Sequence, residues 1–274
     1  MTDSERAHRC GGAGSPRARV RVLSDVPSVS FVERWVEIAR ADHFWFEWRL
    51  QATLALLRSL DIPLDQKRRA LEVGCGKGVL LGQLEKATCW RVDGADLDRD
   101  ALAQARPGRG SLYAYDVHDQ RDEFRDAYDV LILYDVLEHV PARGPFLRAA
   151  LHHVRPGGLL LVNVPALQAL YGPFDEAAGH QLRYDRASLA GEFRDLGVDI
   201  LEMRYWAFSM IPVVWLRKFV VLLRGDPGRT VERGFQPPGR LTEHVLRWAM
   251  RCERALLERP PLGTSLLLAA AKSG

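Results

Sequence analysis

The chain has 274 residues, of which 47% are hydrophobic and 27% charged, which is the composition of a globular protein with a sizeable core. Its formal net charge of +3 is too balanced to favour nucleic acid as a partner. The four cysteines form no C-x-x-C pair, and the first residues contain no apolar segment of a secretory signal. We therefore expect no zinc site, no disulfide framework and a cytoplasmic location.

The N-terminal part predicts a tail followed by a helical cap. Residues 1–22 are polar and rich in arginine and glycine, so we expect a disordered tail. Residues 23–66 form the cap, with a helix over 31–60 because leucines recur there at helical spacing. Four aromatic residues stand within 44–48. Two interpretations stay open for them: they fix the helix to the core, or they line a binding site.

A glycine-rich turn follows and dominates the chain. In residues 70–80 a short apolar run leads into Gly74, Gly76 and Gly78 and then into a helix-compatible segment. Glycine adopts positive φ, and its missing Cβ lets a ligand lie on the backbone. In a parallel α/β sheet, the crevice at the carboxyl ends of the strands is where nucleotide-like ligands bind.

Two common nucleotide motifs do not fit this turn. A dinucleotide fingerprint needs a third glycine where this chain has Val79, and a P-loop needs its lysine after the glycines, whereas Lys77 lies among them. Instead, Glu72-x-Gly74-x-Gly76-x-Gly78 and four further strand-like segments in order resemble the class I S-adenosylmethionine-dependent methyltransferases. Those segments are residues 90–97, 113–117, 128–140 and 155–164.

This resemblance implies an α/β fold with a doubly wound, mostly parallel seven-stranded sheet. The core would comprise residues 67–208 and 264–274, with a sixth strand over 200–208 and a seventh over 265–271, antiparallel beside the fifth. Residues 209–263 are then a helical insertion that forms a lid over the substrate. The relatives by pattern are ubiquinone/menaquinone-type enzymes and enzymes that modify natural products.

The resemblance also implies which residues hold S-adenosylmethionine, the cofactor that becomes S-adenosylhomocysteine. Asp96 would accept the ribose hydroxyls, Asp116 would lie near the adenine amino group, and Arg49 would hold the methionine carboxylate, with Trp45 or Phe46 lining the site. The full predicted set is Glu72, Gly74, Cys75, Gly76, Gly78, Asp96, Leu97, Asp116, Val117, Tyr134, His139 and Arg49.

A polar loop after the fifth strand carries most of the candidate catalytic groups. Residues 171–184 contain Asp175, His180, Arg183 and Tyr184. His180 is a candidate general base because histidine is the usual side chain for that role, while Arg183 suits an anionic acceptor. Alternatively, Asp175, His180 and Arg183 hydrogen-bond one another and only fix the loop.

His139, after the fourth strand, is open to a structural, a cofactor-side or a catalytic role. The predicted catalytic set is therefore His180, His139, Tyr184 and Asp175. Asp135 lies near the right strand end for a metal, but no partners are visible in the sequence, so we predict no metal site.

The function that follows is methyl transfer by in-line displacement to a small-molecule acceptor, with natural products, sugars and lipid-like molecules as candidates and oxygen favoured over nitrogen or carbon. Two alternatives stay open: a catalytically silent S-adenosylmethionine-binding partner protein, and a non-methylating reaction on the same scaffold.

Within the insertion, residues 210–223 are almost wholly apolar. They predict a lid or dimer helix, or a peripheral membrane contact with Arg217, Lys218 and Arg224 at the headgroups. A homodimer also stays open, because this insertion is long enough to reach a second subunit.

Overall fold

The computed structural model describes residues 20–25, 43–105, 108–224 and 239–274. Within them the chain forms one eight-stranded sheet with helices on both faces. The strands are β1 (Arg21–Val22), β2 (Arg69–Val73), β3 (Arg91–Asp96), β4 (Leu112–Ala114), β5 (Tyr128–Tyr134), β6 (Val154–Pro165), β7 (Val198–Trp206) and β8 (Ser265–Lys272). The predicted α/β class is confirmed.

The strand order is β1-β4-β3-β2-β5-β6-β8-β7. Strands β1 to β6 pair in parallel, whereas β8 is antiparallel to both of its neighbours, β6 and β7. The C-terminal strand therefore lies where the resemblance places it, beside the fifth predicted strand. Because the order reverses between β2 and β5, the turns that follow these two strands lie side by side at one edge of the sheet.

The sheet has eight strands rather than the expected seven, because β1 adds to its edge. Arg21 and Val22 pair with β4, and the amides of Leu23 and Ser24 donate to the carbonyl of Ala114. The tail prediction is therefore wrong at residues 21 and 22, because the exposed edge of β4 offers backbone groups to any extended segment that reaches it. Residues 1–19 lie outside the described part.

The helices are α1 (Phe44–Ser59), α2 (Val79–Ala87), α3 (Arg99–Gln104), α4 (Arg143–Leu151), α5 (Pro173–Ala178), α6 (Arg186–Glu192), α7 (Ile211–Arg224) and α8 (Arg240–Leu256). Polar side chains begin several of them: Asp98 accepts from the amides of Asp100 and Ala101, and Asp185 accepts from that of Ser188. The predicted N-terminal helix is present from Phe44 onward, and residues 26–42 lie outside the described ranges.

The core has two layers because successive side chains of a strand point to opposite faces. In β5, Leu131 and Leu133 belong to one apolar cluster, while Val130 and Ile132 belong to the other. Burial on both faces explains why this strand is a continuous apolar run. Helices α4 and α6 cover the first face, and α1 and α2 cover the second.

Both predicted insertions contain helices. The segment between β6 and α6 includes α5, and residues 209–263 include α7 and α8, with 225–238 outside the description. Among the helices described, none combines the length and apolar character that crossing a membrane requires.

The cysteines depart in part from the expectation. Cys75 and Cys252 are free thiols, but Cys89 is disulfide-bonded. Four scattered cysteines without a recurrent spacing do not reveal which segments of a chain meet in space.

Candidate active site

The glycine turn between β2 and α2 has the backbone that its sequence predicts. Gly74, Gly76 and Gly78 adopt φ of 74°, 51° and 68°, in the left-handed region where glycine is favoured. A Cβ on Gly74 would lie 2.5 Å from Cγ2 of Val136, whereas a Cβ on Gly76 would meet nothing within 4 Å. Gly76 therefore presents bare backbone to open space, which is the surface that a nucleoside ligand needs.

Asp96 ends β3 beside this turn. Its Oδ2 accepts from the amide of Gly76 at 2.6 Å, and its Oδ1 accepts from the amide of Asp98 at 2.8 Å. Burial raises the pKa of Asp96. Leu97 is half-buried next to it. The carboxylate is thus fixed by backbone donors at the edge of the turn, where the resemblance expects a ribose.

Cys75 lies in the same turn but faces away from the open space. Its side chain is buried, and a Cβ on Gly94 would lie 2.7 Å from its Sγ. Burial also raises the pKa of the thiol. Only the backbone of Cys75 is therefore placed to contact a ligand.

Asp116 and Val117 follow β4. The Oδ1 of Asp116 accepts from the amide of His118 at 2.9 Å, and the amide of Asp116 donates to Oγ of Ser24 at 2.8 Å. Val117 is buried in the core. The carboxylate of Asp116 thus caps its own turn, and the sequence reading missed Ser24 because a single serine near the start of the predicted cap belongs to no motif.

Arg49 of α1 reaches the ends of β5 and β6 through Asp135. Its Nη1 donates to Oδ2 of Asp135 at 2.5 Å, and Nδ2 of Asn163 donates to Oδ1 of Asp135 at 2.5 Å. The guanidinium also lies over the rings of Phe46 and Tyr134, 4.9 and 5.5 Å from their centroids. The sequence reading missed Asn163, although a polar residue in an apolar strand was a signal.

Glu72 and Arg49 leave polar atoms without partners at the same place. Both residues are buried, and Oε2 of Glu72 and Nε of Arg49 have no hydrogen-bond partner. Burial raises the pKa of Glu72 to about 8, although the charge of Arg49 opposes this. Because buried polar atoms are normally satisfied, an oxygen and an N–H left open together suit a ligand with an ammonium and a carboxylate. That is the amino-acid end of S-adenosylmethionine, so the residues fit the implied cofactor.

Tyr134 is buried behind this region and is not exposed at the site. Its side chain is buried, and its hydroxyl is 2.8 Å from Oγ1 of Thr53 on α1. Beside it, Trp45 packs on Trp206, whose Nε1 donates to Oδ1 of Asn163 at 2.9 Å. The aromatic cluster therefore fixes α1 to the core, as one of the two interpretations expected. That it also lines the binding site stays a prediction.

The loop between β6 and α6 brings Asp175, His180 and Arg183 together. Nδ1 of His180 donates to Oδ1 of Asp175 at 2.9 Å, and Nε of Arg183 donates to the same oxygen at 2.8 Å. Burial acts to raise the pKa of Asp175, but the hydrogen bonds and the charge of Arg183 outweigh it, so the pKa lies below its usual value. Because Asp175 occupies Nδ1, Nε2 of His180 is the nitrogen left to accept a proton.

Glu138 and His139 face this histidine from the turn after β5. The rings of His139 and His180 are 4.9 Å apart, and Nε2 of His180 is 4.0 Å from Oε1 of Glu138. Glu138 is fully buried without a hydrogen-bond partner on either oxygen, and burial raises its pKa well above the usual value. Burial and the nearby His180 lower the pKa of His139.

These three residues could also hold a metal ion. Glu138, His139 and His180 each offer one ligand atom, and the three atoms lie within 4.8 Å of one another. The sequence reading missed Glu138 as a site residue because a glutamate inside a short turn usually faces solvent. The absence of a metal site therefore stays a prediction.

Tyr184 departs from its expected catalytic role. Its side chain is completely buried in the core, its hydroxyl has no hydrogen-bond partner, and burial raises its pKa. Its backbone explains the position, because its amide donates to Pro165 and its carbonyl accepts from Leu167, which holds the residue under the loop. We correct the prediction: Tyr184 anchors the loop and does not reach the open site.

Asp135 connects the two halves of the site. It contacts Arg49 on one side, and its charge helps to raise the pKa of both Glu72 and Glu138. The glycine turn and the histidine cluster therefore share one sheet edge. Its φ of 56° is unusual for a residue other than glycine and marks the sharp turn after β5.

Comparison with known proteins decides the family. A family model described as a methyltransferase domain matches residues 41–203. The chain belongs to this methyltransferase domain family. The predicted resemblance to S-adenosylmethionine-dependent methyltransferases is thereby confirmed, and the matched part of the methyltransferase domain contains both halves of the site.

The curated relatives are similar to only part of this chain. A ubiquinone biosynthesis O-methyltransferase from Hydrogenovibrio crunogenus is 32% identical over 99 residues, which are 34% of this chain and 41% of that protein. The chain thus spans about two fifths of the length of such curated relatives.

Two solved structures share the fold. The putative methyltransferase in a complex with the Haloferax volcanii Trm112 activator has a TM-score of 0.60 at 18% identity, with 90% of this chain and 100% of that chain covered. Phosphoethanolamine N-methyltransferase 2 of Haemonchus contortus, solved with S-adenosyl-L-methionine, has a TM-score of 0.53 at 16% identity, with 82% and 52% covered.

Proposed function

We propose that this protein transfers a methyl group from S-adenosylmethionine to a hydroxyl of a small, lipid-like acceptor. The observation that carries the proposal is the Asp175–His180 pair, which leaves Nε2 of His180 free beside Glu138 at the cofactor edge of the sheet. A hydroxyl needs such a base because its neutral form is a poor nucleophile. The name of the O-methyltransferase relatives supports oxygen as the acceptor atom.

Different residues would bind different parts of S-adenosylmethionine. Gly76 offers open backbone, Asp96 a fixed carboxylate, and Glu72 and Arg49 the unsatisfied polar atoms for the amino-acid end. When bound, S-adenosylmethionine supplies a methyl group already activated by the positive sulfur. The main task of the protein is therefore to hold the acceptor in line, which is a matter of position rather than covalent help.

His180 would take the proton of the acceptor hydroxyl at Nε2. Asp175 orients the ring and favours the imidazolium that forms, and Arg183 fixes Asp175 in turn. His139 lies against the His180 ring, with the ring centroids 4.9 Å apart. His180 is thus the catalytic residue of the proposal, and Asp175 and Arg183 are positioning residues.

A specific observation favours a second route to the same product. Glu138, His139 and His180 could bind a divalent cation, which would assist loss of the hydroxyl proton in place of a histidine base. Our proposal is the metal-free route. We expect dialysis against a chelator to leave the methylation rate unchanged, whereas loss of activity that added Mg²⁺ or Mn²⁺ restores would favour the metal.

The test is a turnover assay with S-adenosylmethionine and a panel of phenols with and without long alkyl chains. We expect a product heavier by one methyl group, together with an equal amount of S-adenosylhomocysteine. His180→Gln should lower the rate on the order of 10²-fold or more, as for loss of a general base. The matched control is His152→Gln, which changes a half-buried histidine at the end of α4, outside the site.

Three outcomes contradict the proposal and separate its alternatives. Cofactor binding without any product would indicate a silent binding partner, and a changed acceptor without methyl gain would indicate another reaction on the scaffold. Equal rates for the two histidine variants would remove His180 as the base. The predicted cytoplasmic location belongs to the same proposal, and the sequence-based expectation that nucleic acid is not the acceptor stays a prediction.

A further inference from the structure

Helix α7 presents an apolar face to solvent. Trp215, Leu216 and Phe219 are 48%, 65% and 57% exposed, and they lie within one turn of each other on the same side. Isolated exposed apolar residues are ordinary, but three large ones on adjacent turns form a patch that indicates an interaction surface.

Two cations of α7, Arg217 and Lys218, contact the rest of the protein. Nζ of Lys218 donates to the carbonyl of Ala169 at 2.9 Å, and the guanidinium of Arg217 lies over the ring of Phe174. Both contacts attach α7 to the loop that carries His180. These contacts fix α7 to the loop, and Nζ of Lys218 also lies 5.5 Å from the centroid of the Trp215 ring, at the border of the exposed apolar face. The expectation that Arg217, Lys218 and Arg224 meet lipid headgroups stays a prediction.

Helix α8 combines an apolar face with basic residues. Val245, Trp248 and Leu256 are exposed, with Trp248 at 66%, and Arg251 is exposed one turn from Trp248. Together with Arg254, Arg251 lines a cavity of about 400 Å³ between α1 and α8. Aromatic side chains beside arginines are typical of a helix that lies in the interface of an anionic membrane.

Charge distinguishes the candidate occupants of this surface. The two helices contain seven basic and two acidic residues. Arg217 and Lys218 contact the loop, and Arg247 is paired with Glu47 and Glu243. The positive charge on the exposed side therefore comes chiefly from Arg251 and Arg254, which are both exposed. A second copy seated on the same face would bring two such positive regions together, whereas anionic lipid headgroups would neutralise them. No described helix is long enough to span a bilayer, so contact would be in the plane of the interface.

We propose that the outer faces of α7 and α8 dock on the surface of an anionic lipid bilayer. Trp215, Leu216, Phe219 and Trp248 enter the boundary between headgroups and acyl chains, and Arg251 meets lipid phosphates. Since α7 contacts the loop that holds His180, docking would place a membrane next to the candidate acceptor site. The surface itself does not depend on the proposed function.

The test is flotation of the full-length protein with vesicles of neutral phosphatidylcholine or of phosphatidylcholine with phosphatidylglycerol. We expect binding to the mixed vesicles that weakens as salt rises, and weaker binding to the neutral ones. The double variant Leu216→Ser/Phe219→Ser should bind the mixed vesicles at least about tenfold less well, because two buried apolar groups are lost. Arg251→Gln should reduce only the preference for phosphatidylglycerol.

The matched control is Leu201→Ser, which removes a leucine 46% exposed on β7, away from both helices. Circular dichroism and thermal melting establish that each variant is folded. Absence of binding to either vesicle type by the wild type, or equal binding by the double variant and the control, would overturn the proposal. So would a change from dimer to monomer in the double variant without vesicle binding, because a second copy would then be the occupant.

Discussion

Glu72 illustrates, at the scale of one residue, a binding group whose burial lowers the stability of the ligand-free protein. Its carboxyl group is buried with an open oxygen, while Arg49 nearby is already engaged by Asp135. Burying a carboxyl without full compensation is unfavourable unless a ligand completes the set. The unsatisfied atoms are therefore better explained by binding than by folding.

This gives a pH-dependent prediction for the ligand-free protein. The pKa of Glu72 is about 8 in the folded state and about 4.3 in an unfolded chain. At pH values between these two, the folded state therefore keeps a proton that the unfolded state has lost. The free energy of unfolding of the wild type should therefore fall as pH rises from about 4.3 towards 8. Glu72→Gln removes that dependence.

The measurement is urea unfolding of wild type and Glu72→Gln at pH 5 and at pH 8. Between pH 5 and pH 8 we expect the free energy of unfolding of the variant to rise relative to that of the wild type by roughly 1–3 kcal/mol. This is less than the full difference in pKa would give, because relaxation and water penetration lessen the penalty for burying the charge. A constant difference across this pH range would show that Glu72 is ionised in the folded protein.

Residue-level outcomes also show what a sequence can and cannot reveal. The glycines and Asp96 were predictable because each meets a backbone or ligand requirement that few residue types satisfy. Tyr184 and Glu138 were not, since neither the polar loop nor the turn after β5 gives a sign of which side chain turns inward. Tyr184, which was expected at the site, is buried in the core, whereas Glu138, which was overlooked, faces His180.

At the scale of elements, the turn from β2 to α2 is the best-determined part of the site. Gly74 has a left-handed φ, and a Cβ added to it would lie 2.5 Å from Cγ2 of Val136, so no larger residue fits without movement. The turn after β5 thus presses on the turn after β2, and each limits the shape of the other.

Gly74→Ala tests this contact. We expect a loss of about 2–4 kcal/mol in the free energy of unfolding, from the left-handed backbone and the clash together. The matched control is Gly82→Ala on α2, where a Cβ meets nothing within 4 Å and helix propensity should stabilise the protein by about 0.5–1 kcal/mol. Similar denaturation midpoints for the two variants would contradict the packing described for the turn.

The strands differ in how well the sequence predicts them. Strand β8 was predictable because an apolar run at the end of the chain matches the family pattern, and it pairs where expected. Strand β1 was not, because two residues carry no periodic signal and form a strand only where β4 leaves an edge open. Tertiary pairing, rather than local preference, decides such short strands.

At the scale of the whole molecule, one edge of the sheet gathers the functional parts. The turns after β2, β3 and β5, the loop after β6, and helix α1 all meet there, which is the usual result of a parallel sheet whose strand order reverses. The helical insertion adds α7 and α8 next to this edge. Acceptor and membrane contacts are therefore proposals about the insertion, whereas the family assignment concerns the core.

Binding of S-adenosylmethionine at the glycine turn is the central expectation for this protein, and calorimetric titration measures it. We predict that wild type and the surface control Asp100→Ala bind one equivalent, and that Asp96→Ala binds on the order of tenfold to a hundredfold more weakly, because a charged hydrogen-bond partner is lost. Thermal melting must show that all three proteins are folded. No binding by the folded wild type, or equal binding by Asp96→Ala, would contradict the account.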